Sequence, residues 1–199
     1  MTFHTTITYP SSGTPPFPVL IAFDGLSLPV PSTIATITLP VSSLAQQNSL
    51  SSRGIGDFYT LYGSSASAGA LTAFTWGVSR MIDALELTPS AQIDTTRIGV
   101  TGSSRSGKGA LVTGALDSRV ALTIPQESGS GGTDCWRLSD ALFARGLVTQ
   151  TASEIVQENV WFARLFEEFA NTTVDRLPVD HHMLMGLVAP RGLLVIDNH

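Results

Sequence analysis

The chain has 199 residues and a mass of 21.0 kDa, the length of one domain with enough polypeptide to bury a core. It carries 11 basic against 16 acidic residues, a net charge of −5, and has no basic run or stripe, which excludes the footprint of a nucleic-acid binder. Mean hydropathy is +0.21, yet no apolar run approaches the roughly 18 residues that span a bilayer, and the opening "MTFHTTITYP" has neither a basic n-region nor an apolar h-region of a signal peptide.

In chain order, "PVLIAF" (Pro18–Phe23) is a short apolar run closed by Asp24-Gly25 and predicts a buried strand. "TIATITL" (Thr33–Leu39) is β-branched and predicts another. "YGSSASAGA" (Tyr62–Ala70) is rich in small polar residues and reads as a loop entering a long helix. From Ser67 to Leu87 the residues Leu71, Phe74, Val78, Met81, Ile82 and Leu85 recur at helical spacing, and Thr88-Pro89 ends the element. "RIGV" (Arg97–Val100) is a strand, and "KGALVTGAL" (Lys108–Leu116) a helix after a tight turn. "VALTI" (Val120–Ile124) is the next strand, followed by a Gly/Ser-rich loop. Glu154–Phe169 reads as one helix with an apolar side, "HHMLMGLV" as a short helix, and "LLVID" (Leu193–Asp197) as a last buried strand. Apolar strands alternating with helices predict an α/β fold with a mostly parallel sheet.

The turn "VTGSSRSGKGA" (Val100–Ala110) admits two chemistries. Gly102, Gly107 and Lys108 mimic a phosphate-binding loop, but that loop places Ser or Thr after the lysine as a magnesium ligand, and here Gly109 stands there. The alternative is a nucleophile elbow, in which a small residue two before the serine permits a sharp strand-to-helix turn. Gly102 fills that position relative to Ser104, although Ser106 rather than glycine follows at the next small site. An elbow would set Ser104 at a helix N-terminus, where backbone N–H groups stabilise a developing oxyanion, with Arg105 beside it. A plain helix-capping serine is the bland reading. For the acid of a triad, Glu127 follows the strand Val120–Ile124, and Asp197 ends the last strand. The base is harder to assign among His4, His181, His182 and His199. An α/β-hydrolase places it after the last strands, and His199 is too close to Asp197 to have crossed another strand. His181 and His182, on a short helix before Leu193–Asp197, stay as candidates.

The segment "VTGSSRSGKGALVTGALDSRVALTIPQESGSGGTDCWR" closely resembles the signature region of glucuronoyl esterases, carbohydrate esterase family fifteen. The likeness extends to "FYTLYGSSASAGALTAFTWGVSRMIDALEL", "TASEIVQENVWF" and "DHHMLMGLVAPRGLLVIDN", nearly the whole chain. It implies an α/β-hydrolase three-layer sandwich and a serine esterase without metal or cofactor. That esterase would cleave the bond between 4-O-methyl-glucuronic acid of glucuronoxylan and lignin alcohols. Ser104 would match the nucleophile, Glu127 the triad acid and Arg105 the oxyanion-stabilising arginine, while Lys108, Gln150 and Glu158 would bind the uronate hydroxyls. Without the resemblance, Lys108 reads as a solvated helix lysine, and Gln150 and Glu158 as polar side chains facing water.

Members of that family continue past "VIDN" to a tryptophan that contacts the sugar and later to the catalytic histidine. The expectation is therefore a partial esterase domain over residues 1–199, with the last sheet strands and the base beyond residue 199. Ser103 occupies the family's usual cysteine position, and Cys135 matches a framework cysteine whose partner also lies further on. By the same likeness the protein is a secreted monomer, and Asn171-Thr172-Thr173 is an acceptable glycosylation sequon. An inactive uronate-binding fragment, or an esterase for another carbohydrate ester such as acetyl-xylan, are the competing readings.

Overall fold

The computed structural model describes residues 3–197. Among these described residues, six strands form one sheet in the order β1-β3-β2-β4-β5-β6. They are β1 (Ile7–Thr8), β2 (Phe17–Phe23), β3 (Ala35–Leu39), β4 (Ile93–Ser103), β5 (Val120–Gln126) and β6 (Gly192–Leu193). Only β1 runs antiparallel to its neighbour; β2 pairs in parallel with both β3 and β4, and β4 with β5, as solidly apolar strands dictate. The helices are α1 (Val41–Leu44), α2 (Asp57–Tyr62), α3 (Ala70–Glu86), α4 (Arg105–Leu116), α5 (Trp136–Phe143), α6 (Ala152–Glu158), α7 (Arg164–Ala170) and α8 (Leu184–Val188).

The core lies between one sheet face and α3 and α4. Ile21, Phe23, Ile37, Ile98 and Val100 meet Phe74, Val78, Ile82 and Ala110 there, all nearly fully buried. Close approach needs small residues: a Cβ on Gly114 would run into the Thr123 side chain, and one on Gly109 would press on the Phe23 and Phe74 rings. On the opposite face, Leu20, Leu122 and Ile124 meet the loop Leu28–Pro31, and together with Leu194 and Ile196 they line an apolar groove of about 570 Å³. No helix among the described residues is long and apolar enough to cross a membrane.

Two expectations need correction. The periodic stretch Glu154–Phe169 is two helices, α6 and α7, separated by the non-helical residues 159–163. The non-helical piece has work elsewhere. The carbonyls of Val160 and Trp161 accept the N–H groups of Ala70 and Leu71, the first turn of α3, whose own N-cap, Gly69, offers no side chain. Asn159 and Trp161 also donate to Gln47, at 2.6 and 2.7 Å. "LLVID" does pair with β5, since Leu194 and Ile196 donate to Thr123 and Pro125. It is not buried: Leu194 is 52% exposed and Ile196 37%. It sits at the sheet edge, where among the described residues only β5 flanks it.

Candidate active site

Strand β4 ends at Ser103 and α4 begins at Arg105, so Ser104 alone makes the turn. Its φ of 57° and ψ of −125° put a non-glycine residue in a conformation that costs energy and is held by its surroundings. The sequence explains how. Gly102 and Gly107 let the strand end, the helix start and β5 touch: a Cβ on Gly102 would lie 2.5 Å from the Ser106 carbonyl, and one on Gly107 would strike that of Gln126. The hydroxyl of Ser104 is exposed, with no hydrogen-bond partner among the described residues, at the N-terminal end of a twelve-residue helix. Its conformation is that of an elbow, not of a capping serine, whose side chain would accept from the helix.

Glu127 directly follows the neighbouring strand, β5. Ser103 pairs with Gln126 in the sheet, the Ser104 N–H donates to the Gln126 carbonyl at 2.9 Å, and the next residue along is Glu127. Glu127 also has positive φ, 48°, is exposed, and donates its N–H to Ile196 at 2.7 Å. Nucleophile and acid candidates thus leave adjacent parallel strands at one sheet end. Arg105 is exposed and shares with Ser104 a recess of about 370 Å³ bordered by Phe23 at the end of β2 and by residues 24–27, the loop after it. That loop is tied down by two contacts no sequence motif announced. Ser106 donates to Asp24 at 3.2 Å, and the Gln126 side-chain amide donates to Ser27 and Thr101, each at 2.8 Å.

Lys108, one turn into α4, is not a solvated lysine. It is 6% exposed, donates to the carbonyls of Ser128 and Ser130 at 2.6 Å each, and its ammonium lies 5.8 Å from the Trp161 ring centre. Burial lowers its pKa to about 8, against the opposing pull of Glu158 and Asp134. Ser130 carries the link onward: its hydroxyl donates to the Gln150 carbonyl, and the Gln150 amide donates to Glu158 at 2.6 Å. Lys108, Gln150 and Glu158, far apart in sequence, therefore form one hydrogen-bonded corner, with Gln150 and Glu158 exposed. Ser128, Ser130 and Trp161 are the members that sequence reasoning missed. Ser128 and Ser130 contribute backbone carbonyls, Ser130 its hydroxyl as well, and Trp161 a ring face, none of which leaves a motif.

The histidines stand elsewhere. His181 bonds the Gly132 carbonyl at 3.0 Å between the Trp136 and Phe162 rings. His182 lies 3.4 Å from Asp180, His4 is exposed near β1, and His199 falls outside the described residues. Asp197, the other acid considered, faces Asp134, whose carboxyl is raised by burial and by that neighbouring charge. Cys135 is a free thiol that donates to Asp180 at 3.2 Å.

A sequence profile described as "Glucuronyl esterase, fungi" matches residues 1–199. The 4-O-methyl-glucuronoyl methylesterase of Hypocrea jecorina is 58% identical over the whole chain, which spans 43% of that protein. For 4-O-methyl-glucuronoyl methylesterase 1 of Phanerochaete chrysosporium the figures are 60% and 42%. Among solved structures, the glucuronoyl esterase catalytic domain from Hypocrea jecorina superposes with a TM-score of 0.98, covering all of this chain and 55% of that one. A serine-to-alanine variant of the Sporotrichum thermophile enzyme, in complex with methyl 4-O-methyl-β-D-glucopyranuronate, gives 0.96 at 50% identity, covering 100% and 54%. The chain thus spans about half the length of the relatives it matches. With the α/β-hydrolase architecture and the strand–Ser–helix turn in place, these matches establish that the chain belongs to the fungal glucuronyl esterase family.

Proposed function

We propose that this chain supplies the nucleophile, the acid and the sugar contacts of a serine-type carboxylic ester hydrolase. Its substrate would be the ester joining 4-O-methyl-glucuronic acid of glucuronoxylan to lignin alcohols. The observation that carries the reading is Ser104, exposed and held at positive φ just past the tip of β4, next to the strand that Glu127 directly follows. Its hydroxyl would attack the uronate carbonyl. The first N–H groups of α4 and the Arg105 guanidinium would meet the oxyanion, as preorganised donors at a helix start do. Collapse of the tetrahedral species would expel the alcohol and leave a uronoyl ester on Ser104, which water then hydrolyses. Glu127 would orient the base that takes the Ser104 proton, a role assigned to no described histidine. Lys108, Gln150 and Glu158 would bind the ring hydroxyls, and the ester complex of the Sporotrichum thermophile relative supports a uronate ligand in this family. The secreted setting belongs to the same reading, with Asn171 of the sequon exposed.

Calorimetry with methyl 4-O-methyl-glucuronate tests the sugar contacts without requiring turnover. Saturable binding is expected, weakened about tenfold in Glu158→Gln, the size of one hydrogen bond to a charged group. No binding, or a preference for an acetylated xylo-oligosaccharide, would overturn the uronate reading.

A further inference from the structure

A second cavity of about 290 Å³ is lined by Trp161, by Val112 and Leu116 of α4 and by a set of aromatic rings. Val112 and Leu116 are two and three turns along the helix from Ser104, roughly 12 and 18 Å at 1.5 Å per residue, so the cavity is separate from the nucleophile. Its aromatic wall is built of Trp136, Phe162, Phe166 and His181. Trp136 packs at 5.6 Å on Phe162, 5.3 Å on Phe166 and 5.8 Å on His181, edge-on or tilted, which joins the four rings into one wall in which Phe162 and Phe166 are half-buried.

The polar groups narrow the ligand class. Apart from indole N–H groups, the polar residues lining the cavity are Thr72, Asp180 and His181. Thr72 is exposed to water. Asp180 is already engaged by the backbone N–H groups of Trp136 and His181, at 2.8 and 2.7 Å, and by Arg137. His181 is different. Its Nδ1 faces the Gly132 carbonyl at 3.0 Å, and a carbonyl can only accept, so Nδ1 carries the proton. Burial disfavours the imidazolium and lowers the pKa; Lys108 and His182 act in the same sense, and Asp180 opposes them. In the neutral ring Nε2 is then a bare acceptor, with no partner among the described residues. The best occupant has an aromatic or apolar body matched to the ring wall and one hydroxyl able to donate.

We infer that this cavity is a binding site for a monocyclic phenol or aromatic alcohol, its ring against Trp136, Phe162 and Phe166 and its hydroxyl donating to His181 Nε2. The site is independent of the ester-hydrolysis reading, because neither its lining nor its test involves Ser104.

The probes are p-cresol and p-methylanisole, equal in ring and methyl group but different in that the ether cannot donate. Titration of the ¹⁵N-labelled chain with p-cresol should saturate, with a Kd on the order of 1 mM for so small a ligand, and should shift the His181 Nε2 resonance upfield. The anisole should bind about tenfold more weakly, because it cannot make the hydrogen bond to Nε2 of the half-buried His181. His181→Phe should bring the two ligands to equal affinity. Leu116→Trp, at an exposed position that can take a larger ring without disturbing the core, should abolish both titrations by filling the space. Equal affinity of the two ligands for the unaltered chain would overturn the proposal, as would p-cresol binding untouched by Leu116→Trp. A chain that self-associates and ignores p-cresol would give the cavity to a second copy and overturn it as well.

Discussion

The main-chain carbonyl of Gln126 accepts the N–H of Ser104 at 2.9 Å, while the side-chain amide of the same residue donates to Ser27 and Thr101. One buried glutamine on β5 thus joins the elbow, the strand that leads to it, the loop after β2, and Glu127, its own neighbour.

Removing that amide should cost stability. Gln126→Leu keeps the volume but leaves the Ser27 and Thr101 hydroxyls without their donor, a loss of about 1–3 kcal/mol. Urea unfolding should show a lower midpoint at unchanged slope. A midpoint equal to that of the unaltered chain would show that the amide holds nothing.

Gly107→Ala should be costlier than an ordinary helix Gly→Ala change, which stabilises. The new methyl meets the Gln126 backbone carbonyl, a rigid obstacle, so destabilisation of about 1–3 kcal/mol is expected. Circular dichroism melts would reveal it, and a raised Tm would contradict the close approach.

Lys108 makes stability depend on alkaline pH. The unfolded chain keeps a lysine proton to about 10.5, whereas the folded protein releases that of Lys108 at about 8. Between these values the unfolded state binds more protons, so this group's contribution to stability rises with pH. The neutral amine still has two N–H groups for Ser128 and Ser130, so the loop contacts survive deprotonation. Relative to Lys108→Met, the unaltered chain should gain up to about 3 kcal/mol between pH 8 and 10.5. Denaturation curves run in parallel would detect it, and a pH-independent difference would refute it.

Asp117 acts at the other end of the scale. Burial pushes its carboxyl up, but hydrogen bonds from Arg119 and Ser79 prevail and bring it to about 2, below the ordinary 3.8. A lowered carboxylate contributes stability that is present above pH 3.8 and lost as pH falls through about 2. Asp117→Asn should therefore cost about 2 kcal/mol at neutral pH, with the deficit narrowing below pH 4. A deficit of constant size in acid would contradict the assignment.

What could be read from the sequence was what chemistry places locally. The elbow is legible because Gly102, Ser104 and Gly107 act on one turn, and α3 because its six spaced apolar residues face one core. The break between α6 and α7 was hidden because Val160, Phe162 and Leu165 continue a helical rhythm. What interrupts it is the need of α3, ninety residues earlier, for carbonyl acceptors at its first turn. Lys108 was misleading for the same reason: its partners are two carbonyls in a loop twenty residues on. The aromatic cavity was invisible, since Trp136, Phe162, Phe166 and His181 meet only after three segments pack together.

Hydrolysis of benzyl glucuronate by the 199-residue chain and by Ser104→Ala, each with and without added imidazole, tests the central claim most directly. No described imidazole stands beside Ser104, so the chain alone should show at most trace turnover, loss of a triad member costing on the order of 10⁴-fold or more. Free imidazole should serve as the base and raise the rate, and Ser104→Ala should abolish that gain. Equal rates for the two proteins in imidazole, zero included, would contradict Ser104 as the nucleophile.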